Sequence, residues 1–318
     1  MNNLVKDFKE KRIMYINEWP SCQVFEAENV YLSRYEDSAI QFKSYQFKVF
    51  DDKNYNIVIS NIMDALDNMP RRPDIAFEFY WKALDNILYT ISGSGKNSKE
   101  QLQDLIRYLF TLVSKSDDIY KLFIDYFAVL PEKSAKYLYR NIFQGYDLNR
   151  EFSFQEKSVK QLILRLIDYE PASKEKIVAI INYIASKYGY DPSTNFQELR
   201  NGWRFLYKLL IGETLTLKEN ITFNNQSVNI ISLTVEERLN FFINGILYTF
   251  RNDRFHGNII SPFRTSKTTF ETYSHPTYCL ILVDYILLLL LQKSSFTETR
   301  QLLKHSLNNL EYYKQMFV

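Results

Sequence analysis

Chain breakers are scarce in this sequence: eight glycines and eight prolines are spread through 318 residues, where average usage is ~7% glycine and ~5% proline. Few positions can take the left-handed backbone of a tight turn, and few interrupt a helix. Long unbroken elements follow, and helices are what such a chain builds most readily. The same scarcity argues against glycine-rich cofactor loops, collagen-like repeats and a turn-dense all-β sandwich. Apolar residues make up 46% of the chain and include 24 Tyr and 24 Phe, enough to fill a core. The length suits one large domain or two modest ones.

Charge is nearly balanced, with 39 Lys and Arg against 37 Asp and Glu. That excludes a polycation coating nucleic acid through bulk charge, while a local basic site stays open. Cys22 and Cys279 are too few for a disulfide framework or a Cys-based zinc site, and they suit a reducing cytosol. The N-terminal sequence is charged and lacks the apolar run of a signal peptide. The longest apolar run, Cys279–Leu291, carries Asp284 and falls short of the ~20 residues that span a bilayer. A cytoplasmic protein without a membrane span is expected, with this run as a buried helix.

Periodicity organises the chain. Ala39–Phe42 and Tyr45–Val49 alternate apolar and polar residues, the pattern of half-buried strands. With a short helix around Asn3–Asn17 they predict a small mixed α/β segment over residues 1–56. From about Tyr55 a 3.6-residue period dominates, and predicted helices cover 57–66, 74–91, 98–113, 153–170, 177–189 and 203–211. Ser98 with Gln101, Ser153 with Glu156, Thr234 with Glu237 and Ser295 with Glu298 have capping-box spacing. Residues 214–233 read as a β-hairpin insertion turning near Asn224-Asn225-Gln226. The Thr234 helix carries Leu239, Phe242, Ile243, Ile246, Leu247 and Phe250 inward, with Gly257 placed to end it. The predicted fold is mainly α: a multi-helix bundle over 57–318 with a short hairpin insertion and the N-terminal segment.

Two chemistries fail on spacing. Gly93-Ser94-Gly95-Lys96 lacks the earlier glycine and the following Ser or Thr of a phosphate-binding loop, and it follows a predicted helix rather than a strand. The histidines His256, His275 and His305 have no metal-ligand spacing, so neither metal nor cofactor is expected. His305 falls on the polar, solvated side of the last helix, and His275 in a loop before Pro276.

What remains is Arg251-Asn252-Asp253-Arg254-Phe255-His256-Gly257, followed by Arg264 and Lys267. These cations gather at the carboxyl end of a capped helix, where cations are also electrostatically favoured. A helix finished by a basic turn and a histidine is one reading. RNA cleavage is the other: it needs a group near neutral pKa to move a proton, which His supplies. It also needs a fixed cation on the phosphate, which suits Arg. Positions 251 and 256 lie about 140° apart around an ideal helix at ~100° per residue. One site could hold both only if the helix frays or two subunits pool their residues.

Arg251-Asn252, three further residues and His256 resemble the signature of the HEPN superfamily, an Arg followed by four to six residues and a His, commonly with Asn after the Arg. The family's helical bundles pair so that two motifs face each other. Many members are metal-independent endoribonucleases of toxin–antitoxin, abortive-infection and CRISPR-associated systems. The resemblance implies an elaborated member in which Arg251 and His256 are catalytic, with Asn252, Asp253 and Arg254 in support. It implies RNA as substrate, with Arg264, Lys267 and His275 as RNA contacts. It also implies a homodimer with a composite active site and a defence-system or antitoxin partner. Asn258 stands where members silenced by a partner nucleotidyltransferase carry Tyr, which argues against that mode of control. Some members bind without cutting, so a non-catalytic scaffold in such a complex, docking through residues 1–56, is the alternative.

Overall fold

The computed structural model describes residues 2–18, 21, 25–93, 95–144, 154–188, 196–255 and 262–318. It is mainly helical. Helices α1 (Asn2–Asn17), α2 (Glu26–Asp37), α3 (Lys53–Leu66), α4 (Pro73–Ser92), α5 (Ser98–Lys115), α6 (Asp117–Ala128) and α7 (Glu132–Gln144) come first. They are followed by α8 (Phe154–Ile167), α9 (Pro171–Tyr188) and α10 (Phe196–Ile211), then by strands β1 (Leu215–Phe223) and β2 (Gln226–Ile231). Helix α11 (Val235–Asn240) runs through a π-helical stretch, Phe241–Leu247, into α12 (Tyr248–Phe255). A 3-10 turn at Phe270–Tyr273 then leads to α13 (Ser274–Lys293) and α14 (Thr299–Phe317). The elements form two compact units, Met1–Ile87 with Arg251–Val318, and Leu88–Phe250. Both chain ends thus share the first unit.

The reason lies in α13. It is buried on every side from Pro276 to Leu291, so one neighbouring helix cannot cover it. Its length and composition would also suit a membrane, but 94% of its most apolar window is buried inside the protein. Helix α14 packs along it, and the N-terminal segments join them. Tyr31 and Tyr312 share a hydrogen bond of 3.1 Å across 281 positions of sequence. Asp284, the interruption in the apolar run, is buried and accepts from Asn309 Nδ2 at 3.2 Å. His305 Nε2 lies 2.8 Å from the same carboxylate, with its side chain only 9% exposed. His305 is therefore an internal partner of Asp284, contrary to the solvated position expected for it.

The strands expected at 39–49 do not form. Among the described residues the β1–β2 pair makes up the whole of the sheet, and residues 41–52 have no regular structure. The alternation is real, since Phe42 and Tyr45 are buried, but their cover is α14 rather than a neighbouring strand. Phe42 meets Tyr312 edge-on and Tyr45 meets His305 edge-on. The Asn309 amide substitutes for one rung of a ladder: Lys43 N–H donates to its Oδ1 and its Nδ2 donates to Lys43 C=O, both at 3.0 Å. Asn309→Ala strands both backbone groups, and should lower the unfolding free energy by about 1–3 kcal/mol. Urea unfolding measures this. A loss under about 0.5 kcal/mol would mean that Phe42 and Tyr45 hold the segment without the amide.

The second unit follows its sequence signals closely. Thr234 and Glu237 form the expected capping box, with Glu237 N–H on Thr234 Oγ1 at 3.2 Å and Thr234 N–H on Glu237 Oε2 at 2.8 Å. Leu239, Phe242, Ile243, Ile246, Leu247 and Phe250 are buried as expected. The π-helical stretch was not foreseen, and two buried asparagines support it. Asn240 donates to Leu166 C=O at 2.9 Å, and Asn244 donates to Asn240 Oδ1 at 2.8 Å. The hairpin turns on Asn224 and Asn225, with φ of 48° and 58°. Both angles suit a two-residue turn of the primed type, which asparagine tolerates. Gly212 ends α10 at φ +101°, a backbone conformation that residues with a side chain rarely adopt, so a substitution there is strained.

Capping needs further correction. Asn97 with Glu100 caps α5, one residue before the pair read from sequence, and Glu298 precedes α14 without a side-chain cap. Ser153, Cys22 and Gly257 lie outside the described residues. Before Gly93 the chain is helical in α4, as the rejection of a phosphate loop required.

Candidate functional site

The candidate site begins on α12, whose last turn carries Arg251, Asn252, Asp253 and Arg254. Facing it are acids that sequence reasoning did not single out. Asp74, Glu78 and Asp85 recur at four and seven residues along α4, so one face of that helix is acidic. Burying basic side chains against such a face requires paired charges.

Arg254 takes most of that face. Its Nε donates to Glu78 Oε1 at 2.7 Å and its Nη2 lies 2.9 Å from Asp74 Oδ2. Asp74 is fully buried and is also gripped by Arg72, through Nε at 2.9 Å and Nη2 at 2.8 Å. Arg254 thus ties α12 to α4, with its side chain 11% exposed. Of the expected supporting residues, Arg254 has its charge committed to the fold.

Arg251 is held more lightly. Its Nη1 donates to Asn252 Oδ1 at 3.0 Å, and its Nη2 lies 3.5 Å from Asp85 Oδ2. The guanidinium lies 4.4 Å from the centre of the Phe255 ring. A quarter of the side chain remains open to solvent. The carboxyl of Asp85 is pushed up from its ordinary range by burial, with Arg251 and the Trp81 indole acting against that shift. A pre-oriented guanidinium beside a carboxyl that holds its proton more readily is equipped for phosphate and proton chemistry. Asp253 is half-buried on the same turn. His256 lies outside the described residues, so its approach to Arg251 is not described.

The remaining RNA candidates have different surroundings. Arg264 stacks on α1 and the start of α2, 4.2 Å from the Tyr15 ring centre and 5.6 Å from that of Phe25. Lys267 is exposed. His275 sits in the first turn of α13, not in a loop. Its enclosure lowers its pKa to about 3, so the ring is neutral at physiological pH. As a cation for a phosphate His275 has nothing to offer, because burial disfavours its charged form. Three arginines close in sequence therefore meet two sets of neighbours: Arg251 and Arg254 meet α4, and Arg264 meets α1 and Phe25. Among the described residues no group of three or more His, Cys, Asp or Glu is placed to hold a metal ion.

The missed carboxylates had a sequence signal. Their spacing of four and seven residues runs along a helix that was itself predicted, but nothing local pairs it with the basic turn near residue 254. No family model, curated protein or solved structure matches this chain.

Proposed function

We propose that this protein is a metal-independent endoribonuclease of the HEPN type, cutting unpaired RNA in the cytoplasm as a toxin or anti-phage effector. The observation that carries the reading is Arg251. Asn252, Asp85 and Phe255 orient it, and it stays partly open to solvent five residues before His256. In this reading Arg251 holds the scissile phosphate and stabilises the charge that builds on it. His256 moves the proton between the 2′-hydroxyl and the leaving oxygen. Asn252 fixes the guanidinium. A homodimer places two motifs in one composite site and answers the angular separation of positions 251 and 256.

Arg254 favours a second reading. A basic helix end whose arginine is consumed by Asp74 and Glu78 suits a helical scaffold that binds partners in a defence or antitoxin complex without cutting. Incubation of purified protein with tRNA and mRNA in EDTA tests the two. Cleavage by the wild type and none by His256→Ala supports the ribonuclease. Intact RNA with the wild type at several ionic strengths sinks it in favour of the scaffold.

A further inference from the structure

In the first unit a half-open cavity of about 270 Å3 lies between Phe8 of α1, Phe25 and Ala27 at the start of α2, and Phe263, Thr268 and Phe270. Aromatic residues make up much of its lining. Phe8 and Phe25 stack at 6.1 Å and 28°. Phe263 lies on Tyr273 at 3.9 Å and 6°, and Tyr273 lies on Tyr31 at 4.1 Å. That wall is backed by a buried aromatic column and cannot fold inward to fill the space. The volume falls just below the ~300–1,000 Å3 of clefts for drug-sized ligands, a size for one flat ring system with a small polar appendage.

Charge narrows the choice of ligand. The Arg34 guanidinium sits 4.0 Å from the Phe270 ring centre, and that of Arg264 sits over Tyr15 and Phe25. Arg264 acts electrostatically on the buried Glu28 carboxyl without closing an ion pair with it, and Arg264 Nε is buried without a hydrogen-bond partner. Lys267 is exposed beside Thr268. Cations already resting on the ring faces repel a further cation, so the box is unsuited to an ammonium guest. They attract an anion instead. Glu26, also in the lining, can accept from an amino group on the entering ring.

From this geometry we infer a nucleotide-binding site separate from Arg251: the base stacks among Phe8, Phe25, Phe263 and Phe270, and the phosphate meets Arg264 and Arg34. Stacking on aromatic faces together with arginine contacts to phosphate is the combination that recognises unpaired nucleotides. The occupant is either a free mononucleotide or one unpaired nucleotide of a strand, and the chemistry is the same for both. No residue of the Arg251 cluster takes part, so the site does not depend on whether the protein cuts RNA.

Calorimetric titration of the full chain tests this, with AMP, adenosine, inorganic phosphate and a short single-stranded oligoadenylate as probes. Arg251→Ala protein serves for the oligonucleotide. AMP should bind at least about tenfold more tightly than adenosine or phosphate, because only AMP engages both rings and guanidinium groups. Arg264→Gln should weaken AMP about tenfold and leave adenosine unchanged. Ala27→Trp fills the cavity and should remove binding, with its thermal midpoint as the folding control. Val30→Trp, on the exposed side of the same helix, fills it from the rim and serves if Ala27→Trp does not fold. Binding of AMP identifies a free nucleotide as the source, and binding of the oligoadenylate alone identifies a strand. Either one, lost on filling the cavity, supports the site. No heat with any probe at millimolar concentration, binding unchanged in the filled variants, or phosphate binding as tightly as AMP overturns it. Since the heat of binding needs no turnover, this result and the cleavage assay can fail separately.

Discussion

Arg251→Ala and His256→Ala proteins should leave RNA intact in EDTA under conditions where the wild type degrades it, with cleavage rates down by about 10²–10⁴. The size follows from the roles. Removing a positioned proton donor or acceptor costs that range, and removing a donor aimed at developing charge costs a similar amount. Arg251→Lys should recover little, because a point charge cannot reproduce a planar fork held between Asn252 and Asp85. Arg251 is the more informative position because its replacement should spare the fold. Its contact with Asp85 is 3.5 Å long and partly solvated, so the loss of stability should stay within about 1 kcal/mol. Thermal unfolding of each variant beside the cleavage assay separates the two effects. Wild-type cleavage by a folded Arg251→Ala protein would remove Arg251 from the mechanism.

The second large effect concerns stability. Asp74→Ala should cost about 3–5 kcal/mol, because it strips the shared carboxylate from two arginines in a largely buried site. Arg72 contributes two bonds to Asp74 and Arg254 one, while Glu78 alone would remain for Arg254. Asp74→Asn keeps the shape and loses the charge, and should fall between the wild type and the alanine variant. Replacing Arg254 and Asp74 together with apolar residues of similar volume should cost less than Asp74→Ala alone, since no unpaired charge is left behind. Chemical denaturation of the four proteins gives the comparison. A single-variant loss under about 1 kcal/mol would mean that water already carries these charges.

That prediction rests on acids which the sequence did not mark as partners. Asp74, Glu78 and Asp85 share one face of a helix whose position was legible from Phe77, Tyr80, Trp81, Leu84, Ile87 and Leu88. Arg251 and Arg254 were equally visible as a basic turn. Their pairing was not, because it joins residues more than 160 positions apart, and helical periodicity carries no record of which faces meet. Local motifs fared better. Thr234 and Glu237 formed their box because both partners lie within one turn, and Asn224-Asn225 turned the hairpin because that geometry is a property of two adjacent residues.

The misreadings share the same physical origin. The alternation around Phe42 and Tyr45 recorded burial on one side, which a strand and an extended segment clamped by Asn309 produce alike. His305 read as solvated because its partner, Asp284, lies on another helix. The π-helical stretch Phe241–Leu247 lies within a run buried throughout, so its widened turn left no break in the apolar pattern.

By itself the sequence determined the helical class, most of the helices, the hairpin and the presence of a basic turn at Arg251–Arg254, because these depend on near-neighbour geometry and residue type. Only the tertiary structure decided which cations remain available. It committed Arg254 to Asp74 and Glu78, left Arg251 partly open, and set Arg264 over the rings of Tyr15 and Phe25. The physical reason is that a charge acts through its surroundings: burial and partners from distant segments determine whether an arginine supports the fold or meets a ligand.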